Sequence, residues 1–378
     1  LTRYTARKKE ETYMQKLPIT DLKAGMLTAR SILGTDGRLL LAQDTVLTTA
    51  YIERMNELGI AAIYVQNPYL KDIKVPELVR DETRYVAMQA VKECFATLRD
   101  RQVFSAYAVI AAADQLVEEI VANGNVLVHL TDIRVHDDYT FAHSVNVAIL
   151  SALTLLHMGY KEKDLRIATL GALLHDVGKM HIPLEILVKP GGLTTAEMDI
   201  MRQHAELGFD ILRHGEKIPL LSAHVALQHH EKNDGSGYPR GLIGDSIHPF
   251  AQVTSIADVY DAVTSDRPYR LGMAPDHAYD LLQALSGSHF SPQALTEFFA
   301  HLATYPIGSF VCLNTGAFGI VVDVPSKLPC RPLLQLVTDE TGLPLSDHVT
   351  LDLTENLTAK IIRLLTPKEI SALPLCQA

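Results

Sequence analysis

The sequence predicts a mainly helical protein, in which a helical bundle lies between a small N-terminal α+β module and a small β-rich C-terminal tail. Apolar residues recur at helical spacing through 77–135 and 136–305, with short loops between the segments. Residues 17–66 instead hold short apolar runs around turn residues, and strand-like alternation returns after Tyr305-Pro306. At about 150 residues per domain, 378 residues leave room for two or three domains. We expect a regulatory module at 1–70, a helical linker at 71–104, the bundle domain at 105–305 and a β-rich subdomain at 306–378.

The N-terminal module is predicted from its turn and helix signals. Asp36-Gly37 separates two apolar runs in TARSILGTDGRLLLA and is a turn signal for a β-hairpin. A helix is predicted at 48–59, ended by Gly59, and a further strand at 60–65. Because the module holds no cluster of catalytic residue types, we expect it to regulate rather than to catalyse.

The helical segment 77–135 carries an apolar stripe whose packing partner the sequence leaves open. The stripe recurs at helical spacing at Tyr85, Met88, Val91, Phe95 and Leu98. We interpret it as core packing, and a signalling helix that forms a homodimer is the alternative. Further along the chain, Thr194 and Glu197 have the spacing of a helix capping box.

Charge and composition exclude some classes of function. The formal net charge is −10 and no long basic block occurs, so binding of long nucleic acid is not expected. A small anion remains a candidate substrate where cations are concentrated locally. The longest apolar run, 145–158, is shorter than the ~20 residues that span a bilayer, so we expect no membrane insertion and a soluble, cytoplasmic protein. The widely spread cysteines are expected to be reduced thiols: Cys94, Cys312, Cys330 and Cys376.

Histidines and aspartates of the helical region are candidate metal ligands: His143, His175, Asp176, His204, His229, His230 and Asp258. Taken singly, a helical histidine is more often a packing or surface residue, and a buried aspartate more often a cap or an arginine partner. Together they fall on several predicted helices, and ligands that project inward from facing helices can build a metal site in a bundle core. Neighbouring residues such as His175 and Asp176 point about 100° apart on a helix, which suits a site with two metals. Because a carboxylate has two oxygens, Asp176 is the candidate bridge between them.

A glycine-rich loop directly after His230 adds a second motif. The glycines of HHEKNDGSGYPRGL allow tight backbone turns around Tyr238-Pro239. With YTFAHSVNVA, LLHDVGK and IADVYDAVTSDRPYR elsewhere in the chain, this loop resembles the HD-GYP family of HD-domain metal-dependent phosphohydrolases. The resemblance runs through about 135–275 and is expected to cover 105–305 as the catalytic domain.

The resemblance implies an all-helical HD-domain bundle and hydrolysis of cyclic di-GMP to linear pGpG, and often on to GMP. It implies two divalent transition-metal ions, with iron or manganese favoured over nickel, cobalt or zinc. Mixed imidazole and carboxylate ligands suit these metals better than magnesium. In the expected reaction, a hydroxide that bridges the two metals attacks phosphorus and the ribose 3′ oxygen leaves. Some members carry a glutamate that helps to hold a third metal where this chain has Tyr139, so we expect two metals rather than three.

The resemblance also implies roles for single residues. One metal is assigned to His143, His175, Asp176 and Asp258, and the other to Asp176, His204, His229 and His230. Substrate contacts are assigned to Lys179, Tyr238, Arg267 and Arg270, and catalytic roles to Asp176 and Lys179. On a continuous helix Lys179 would share a face with His175, four residues earlier. Glu231 and Asp234 are expected to hold the loop or orient histidines, and Asp261 to be structural.

Two other functions stay open. One is a receptor or protein-interaction scaffold that binds cyclic di-GMP without useful turnover, and the other is an HD phosphohydrolase of a different cyclic dinucleotide. The complete set of expected ligands argues against the first, and the GYP loop argues against the second. Cyclic di-GMP is the expected ligand, and GGDEF-type signalling proteins are candidate partners.

Overall fold

The computed structural model describes residues 14–33, 39–58, 60, 62–66, 78–101, 103–124, 139–265, 272–325, 328–366, 369–370 and 373. Several residues singled out in the sequence lie outside these ranges: Asp36-Gly37, Gly59, Arg267, Arg270 and Cys376. The chain divides into two compact units. Residues 77–304 with 326–330 form a helical unit, and the N-terminal and C-terminal segments form the other.

The N-terminal module contains two antiparallel strand pairs and one helix: β1 (Met14–Pro18), β2 (Ile32–Leu33), β3 (Leu39–Leu41), α1 (Thr49–Glu57) and β4 (Ala62–Gln66). β1 pairs with β4, and β2 pairs with β3, both in antiparallel orientation. The Thr48 hydroxyl accepts a hydrogen bond from the Tyr51 amide and caps α1. The predicted helix and the strand that follows it are thus both present, slightly shorter than predicted.

The helical unit is built from α2 (Asp81–Arg101), α3 (Tyr107–Asn123), α4 (Tyr139–His157), α5 (Glu162–Leu173), α6 (Leu184–Leu187), α7 (Thr195–Arg202), α8 (His204–Arg213), α9 (Leu220–Gln228), α10 (Pro249–Thr264), α11 (Pro275–Ala284) and α12 (Pro292–Ala300). α4 packs against α2, α5 and α10. Among the described helices, α4 alone has the length and apolar composition to cross a membrane, and 72% of that stretch is buried. Since a helix that is apolar on all sides is typical of a buried core position, α4 is the core helix of this bundle.

The apolar stripe on α2 packs into the core. Met88, Val91, Phe95 and Leu98 are buried, and Tyr85 packs against the same core from a partly exposed position. α2 contacts both α3 and α4. The interpretation of the stripe as core packing is therefore confirmed, and its face is not available as a dimer seam in this fold.

The chain leaves the α-helical conformation before His175. α5 ends first, and Val177–His181 then forms a 3₁₀ helix. Gly178 in this turn lies against the start of α8, where an added Cβ would be 2.0 Å from the carbonyl oxygen of His204. The expectation that Lys179 shares an α-helical face with His175 is therefore wrong, because close packing of this turn on α8 requires the tighter path.

The C-terminal tail forms a five-stranded antiparallel sheet from β5 (Phe310–Leu313), β6 (Phe318–Asp323), β7 (Leu333–Thr338), β8 (Pro344–Asp352) and β9 (Ile361–Leu364). The strand order is β8-β7-β6-β5-β9, so the last strand pairs with the first strand of the sheet. Phe310, Cys312, Ile320 and Val337 pack together in its core. A mainly helical chain with small sheets near both ends confirms the predicted fold class.

The described cysteines are free thiols, as expected. Cys94 and Cys312 are buried and Cys330 is exposed. Burial raises the pKa of the Cys94 thiol to about 12, so this thiol stays protonated and unreactive at neutral pH.

Candidate metal centre

The candidate ligands converge from five segments of the helical unit. α4 carries His143, the turn after α5 carries His175 and Asp176, α8 begins with His204, His229 and His230 follow α9, and α10 carries Asp258. Their ligand atoms form three groups, each within 4.8 Å: His143, His175 and Asp258; His175, Asp176 and His229; His204, His229 and His230. Shared members join these groups into one centre that contains every predicted metal ligand.

Asp176 lies between the two halves of this centre. Its Oδ2 is 3.4 Å from His175 Nε2, whereas its Oδ1 is 3.6 Å from His204 Nε2 and 3.9 Å from His229 Nε2. The two oxygens therefore face different histidines, which is the geometry that a bridging carboxylate needs.

The other half of the centre pairs His143 with Asp258. His143 Nε2 lies 3.0 Å from Asp258 Oδ1, and the His143 and His175 rings meet edge to face at 5.4 Å. Asp258 and His230 are partly exposed, while the remaining candidate ligands are buried. These two side chains therefore lie on the side of the centre that solvent reaches.

The donor atoms fit divalent metal ions. His175 Nε2 and Asp176 Oδ1 are buried and have no hydrogen-bond partner, although buried polar atoms in proteins are almost always hydrogen-bonded. Both atoms face the other imidazole and carboxylate donors of the centre. Metal ions would satisfy them, and a mixed nitrogen and oxygen donor set is typical of manganese, iron, cobalt, nickel and zinc.

Backbone carbonyl groups aim three of the imidazoles. In His175, His204 and His229, Nδ1 contacts the carbonyl oxygen of the residue three positions earlier. The distances are 2.7, 2.7 and 2.8 Å, respectively. Because a carbonyl oxygen only accepts hydrogen bonds, each Nδ1 carries a hydrogen, which leaves Nε2 as the nitrogen that can bind a metal. All three Nε2 atoms are therefore ready to bind a metal.

The protonation states of the buried histidines also favour metal binding. Burial lowers the pKa of His204, holds that of His229 well below its usual range, and lowers that of His230 to about 3. These imidazoles are neutral at pH 7, and the neutral form is the one that binds metal. His143 differs: burial alone would lower its pKa, but its hydrogen bonds to two carboxylates outweigh burial and raise the pKa to about 10.

Both aspartates of the centre are ionised. Burial alone would raise the pKa of Asp176, but the Lys179 ammonium and the nearby histidines hold it well below its usual range. Lys179 Nζ donates a hydrogen bond to Asp176 Oδ2 over 2.6 Å. For Asp258 the hydrogen bond from His143 likewise outweighs burial and lowers the pKa. The centre thus holds two negative charges that attract cations.

Glu231 holds the glycine-rich loop in place. Its buried carboxylate accepts hydrogen bonds from the amides of Arg240 and Leu242 over 2.7 and 2.9 Å. Asp234 accepts a hydrogen bond from the Ser236 amide within the loop. Of the two roles expected for these acids, these hydrogen bonds therefore support holding the loop.

The loop brings Tyr238 against the centre. Gly237 permits this path, because an added Cβ would lie 2.6 Å from the carbonyl oxygen of His230. The Tyr238 ring stacks on the His230 ring at 4.8 Å, and the Arg202 guanidinium lies 5.5 Å from the Tyr238 ring centroid. Burial and nearby carboxylates raise the pKa of Tyr238, so its hydroxyl stays protonated and able to donate a hydrogen bond. Sequence reasoning did not select Arg202, since an exposed arginine on an amphipathic helix carries no local signal.

Sequence reasoning also underrated Asp261. Its Oδ2 lies 2.7 Å from His143 Nδ1, so Asp261 contacts a candidate ligand directly. Asp258 and Asp261 on α10 are three residues apart, as are His143 and Asn146 on α4, so each pair shares a helix face. The matched spacing of these two pairs was the sequence signal that could have identified Asp261 as a partner of His143.

Comparison with known proteins agrees with this centre. Residues 130–294 match the family model described as an HD domain, and residues 310–373 match a KOW domain associated with the HD domain. The chain is 31% identical over 362 residues to a cyclic di-GMP phosphodiesterase of Pseudomonas aeruginosa, with 85% of each chain covered. It is 39% identical over 181 residues to a cyclic di-GMP phosphodiesterase of Thermotoga maritima, with 48% of each chain covered. A 3′3′-cGAMP-specific phosphodiesterase of Vibrio cholerae is 37% identical over 163 residues, which are 43% of this chain and 31% of that protein. The chain belongs to the HD-GYP family of HD-domain phosphohydrolases.

Proposed function

We propose that this chain is a cytoplasmic, metal-dependent phosphodiesterase that hydrolyses cyclic di-GMP to linear pGpG. The observation that carries the proposal is the buried Asp176 carboxylate, whose two oxygens face different candidate ligand histidines. The names of the relatives from Pseudomonas aeruginosa and Thermotoga maritima support the substrate.

The ligands divide into two sets that share one residue. His143, His175, Asp176 and Asp258 would hold one ion, and Asp176, His204, His229 and His230 the other. When bound, two divalent cations activate water and neutralise the charge that builds up on a phosphodiester during hydrolysis. We favour iron or manganese for both positions, as the family resemblance implies, and the mixed imidazole and carboxylate donors suit these ions better than magnesium.

Side chains around the ligands would bind and orient the phosphodiester. The half-buried Lys179 ammonium is close enough to Asp176 to turn from that carboxylate to a phosphate oxygen. The protonated Tyr238 hydroxyl can donate a second hydrogen bond. Arg267 and Arg270 stay predicted phosphate contacts. In the hydrolysis the oxygen of water bonds to phosphorus, the bond from phosphorus to the ribose 3′ oxygen breaks, and that oxygen leaves with a proton.

The test is turnover of cyclic di-GMP by protein loaded anaerobically with Mn²⁺ or Fe²⁺. Wild type is expected to release pGpG, and activity is expected to disappear on chelation and in the His175→Ala, Asp176→Ala double variant. His214→Ala is the matched control, because His214 is exposed at the far end of the helix that begins with His204. Metal-loaded wild type that leaves cyclic di-GMP intact over hours would falsify the proposal.

A second candidate is a phosphodiesterase of another cyclic dinucleotide. The relative from Vibrio cholerae, named for 3′3′-cGAMP, favours this alternative. A panel of cyclic di-GMP, 3′3′-cGAMP and cyclic di-AMP, compared by kcat/KM, separates the two candidates. Tight binding of cyclic di-GMP without turnover would instead indicate a receptor.

A further inference from the structure

A buried row of side chains connects His143 with two other helices. The Asp261 carboxylate contacts His143 Nδ1 through Oδ2, and its Oδ1 accepts a hydrogen bond from Asn146 Nδ2 over 2.9 Å. Asn146 Oδ1 accepts in turn from Arg84 Nη1 over 3.4 Å. All four side chains are buried. The Arg84–Asn146–Asp261 row therefore joins α2, α4 and α10 at the imidazole of His143.

The donor and acceptor groups of these side chains fix the direction of every hydrogen bond in the row. The Arg84 guanidinium only donates hydrogen bonds and the Asp261 carboxylate only accepts them, so the Asn146 amide has a single orientation that satisfies both. For the same reason His143 Nδ1 must carry a hydrogen toward Asp261. A metal ion would then displace only the proton on Nε2, and the freed lone pair faces Asp258 and the metal centre.

His143 is held differently from three of the other ligand histidines. His175, His204 and His229 are aimed by backbone carbonyls of their own chain segment. The orientation of His143 depends instead on side chains from other helices. A carboxylate partner also makes an imidazole a more basic metal ligand than a carbonyl partner does.

We propose that Asp261 and Asn146 are positioning residues of the metal centre, with Arg84 as the end of the row that fixes Asn146. They hold His143 in the tautomer and orientation in which Nε2 binds a divalent metal ion. The proposal rests on the metal-dependent function proposed above. The competing explanation is that the row only ties three helices together.

Asp261→Asn is the diagnostic single substitution, because it changes hydrogen-bond roles with almost no change of shape. If the new amide oxygen faces His143, the new NH₂ group opposes the NH₂ group of Asn146. If the new NH₂ group faces His143, the ring hydrogen must move to Nε2, which is the metal-binding atom. We expect Mn²⁺ affinity at the half of the centre that contains His143 to fall about 10–100-fold.

Adding Asn146→Asp to Asp261→Asn reverses the row and restores every partner. The new amide then accepts from His143 and donates to the new carboxylate, which accepts from Arg84. We expect the double variant to regain about tenfold in affinity over the single variant. Recovery of Mn²⁺ affinity stays incomplete because the carboxylate has moved from position 261, next to His143, to position 146.

Ser151→Ala is the matched control. Ser151 on α4 contacts Thr254 on α10, so it links the same two helices without touching a candidate ligand. Its Mn²⁺ affinity is expected to equal that of wild type. Metal content per chain, Mn²⁺ affinity in chelator-buffered solution and the thermal midpoint without metal are measured for all four proteins.

Recovery in the double variant supports the proposal, because a simple tie between helices gives no reason for metal affinity to follow the direction of the hydrogen bonds. Wild-type affinity in Asp261→Asn, or equal loss in the single and double variants with unchanged thermal midpoints, overturns it. If Asp261→Asn does not fold, the Mn²⁺ affinity of Asn146→Ala is measured instead. An affinity equal to that of wild type in Asn146→Ala overturns the proposal. Wild type that binds no metal at all would instead count against the proposed function.

Discussion

At the scale of single residues, the centre combines buried charge with unsatisfied donor atoms. Asp176 keeps its negative charge in a buried position because Lys179 and the histidines surround it. Its Oδ1 and the Nε2 of His175 have no hydrogen-bond partner. An arrangement of this kind is costly without a ligand, since each unsatisfied buried group costs about 1–3 kcal/mol. It is explained by a role in binding cations.

Lys179→Met tests the division between metal ligands and substrate contacts. The change keeps an apolar stem and removes the ammonium that would meet a phosphate oxygen. Metal content is expected to be unchanged, and kcat/KM for cyclic di-GMP is expected to fall by about 10²–10³, as for loss of one transition-state donor. Lys163→Met, an exposed lysine on α5, is the control. Loss of metal from Lys179→Met would contradict this assignment.

Residue types and spacing predicted the cluster of candidate ligands but not the residues that aim it. The histidines and aspartates were recognisable because each lies in a local motif. Asp261 contacts His143 across a sequence separation of 118 residues, and Arg84 contacts Asn146 across 62. The matched spacing on α4 and α10 is a local signal for Asp261, but no local pattern pairs Arg84 with Asn146, because that contact depends on how α2 packs against α4. Arg267 and Arg270, outside the described residues, stay predictions.

At the scale of elements, helix ends position the ligands. α8 begins with His204, and His229 is the residue at which α9 ends. The capping box of α7 was predicted from the spacing of Thr194 and Glu197, and both of its hydrogen bonds are present. The end of α5 could not be predicted in the same way, because it depends on the contact of Gly178 with a distant helix.

The capping box of α7 should make stability depend on pH. The hydrogen bond from Lys189 and those from Thr194 lower the pKa of Glu197 to about 2, below its ordinary value of 4.5. A lowered pKa means that the stabilisation is present above about pH 4.5 and is lost as the pH falls toward 2. Glu197→Gln can keep the capping hydrogen bonds but cannot ionise.

The thermal midpoint of Glu197→Gln should therefore lie below that of wild type at pH 6. The gap should narrow as the pH is lowered from about 4.5 toward 2, because over this range Glu197 binds a proton in the unfolded wild-type chain while the folded carboxylate stays ionised. A gap that stays constant across this range would show that the charge of Glu197 does not contribute.

At the scale of the whole molecule, the candidate metal centre that would bind an anionic substrate lies in a chain of negative net charge. The net charge is −10, so binding of a small anion depends on bound cations rather than on the overall field. The candidate ligands all belong to the helical unit, between residues 143 and 258. GGDEF-type partners and a homodimer stay predictions, and the apolar stripe of α2 does not supply the dimer surface.

Metal should stabilise the helical unit selectively. A ligand that binds only the folded state at 100 times its Kd adds about 2.7 kcal/mol to the free energy of unfolding. Hydrogen exchange followed by mass spectrometry is expected to slow on Mn²⁺ binding in α4, α8, α9 and α10, and to stay unchanged in β5–β9. Equal protection of the C-terminal sheet would contradict this expectation.

Main-chain carbonyls orient three of the candidate ligand histidines, whereas side chains remote in sequence orient His143. This difference should affect which substitutions the metal centre tolerates during evolution. Substitution of side chains cannot remove a main-chain carbonyl group. The half of the centre that contains His204 and His229 should therefore tolerate substitution of neighbouring residues. If the row positions His143 as proposed, a single substitution of Arg84 on α2 would weaken metal binding in the half of the centre that contains His143. Descendants of this sequence that keep one ion and lose the other should therefore differ first at Arg84, Asn146 or Asp261, before any ligand is altered.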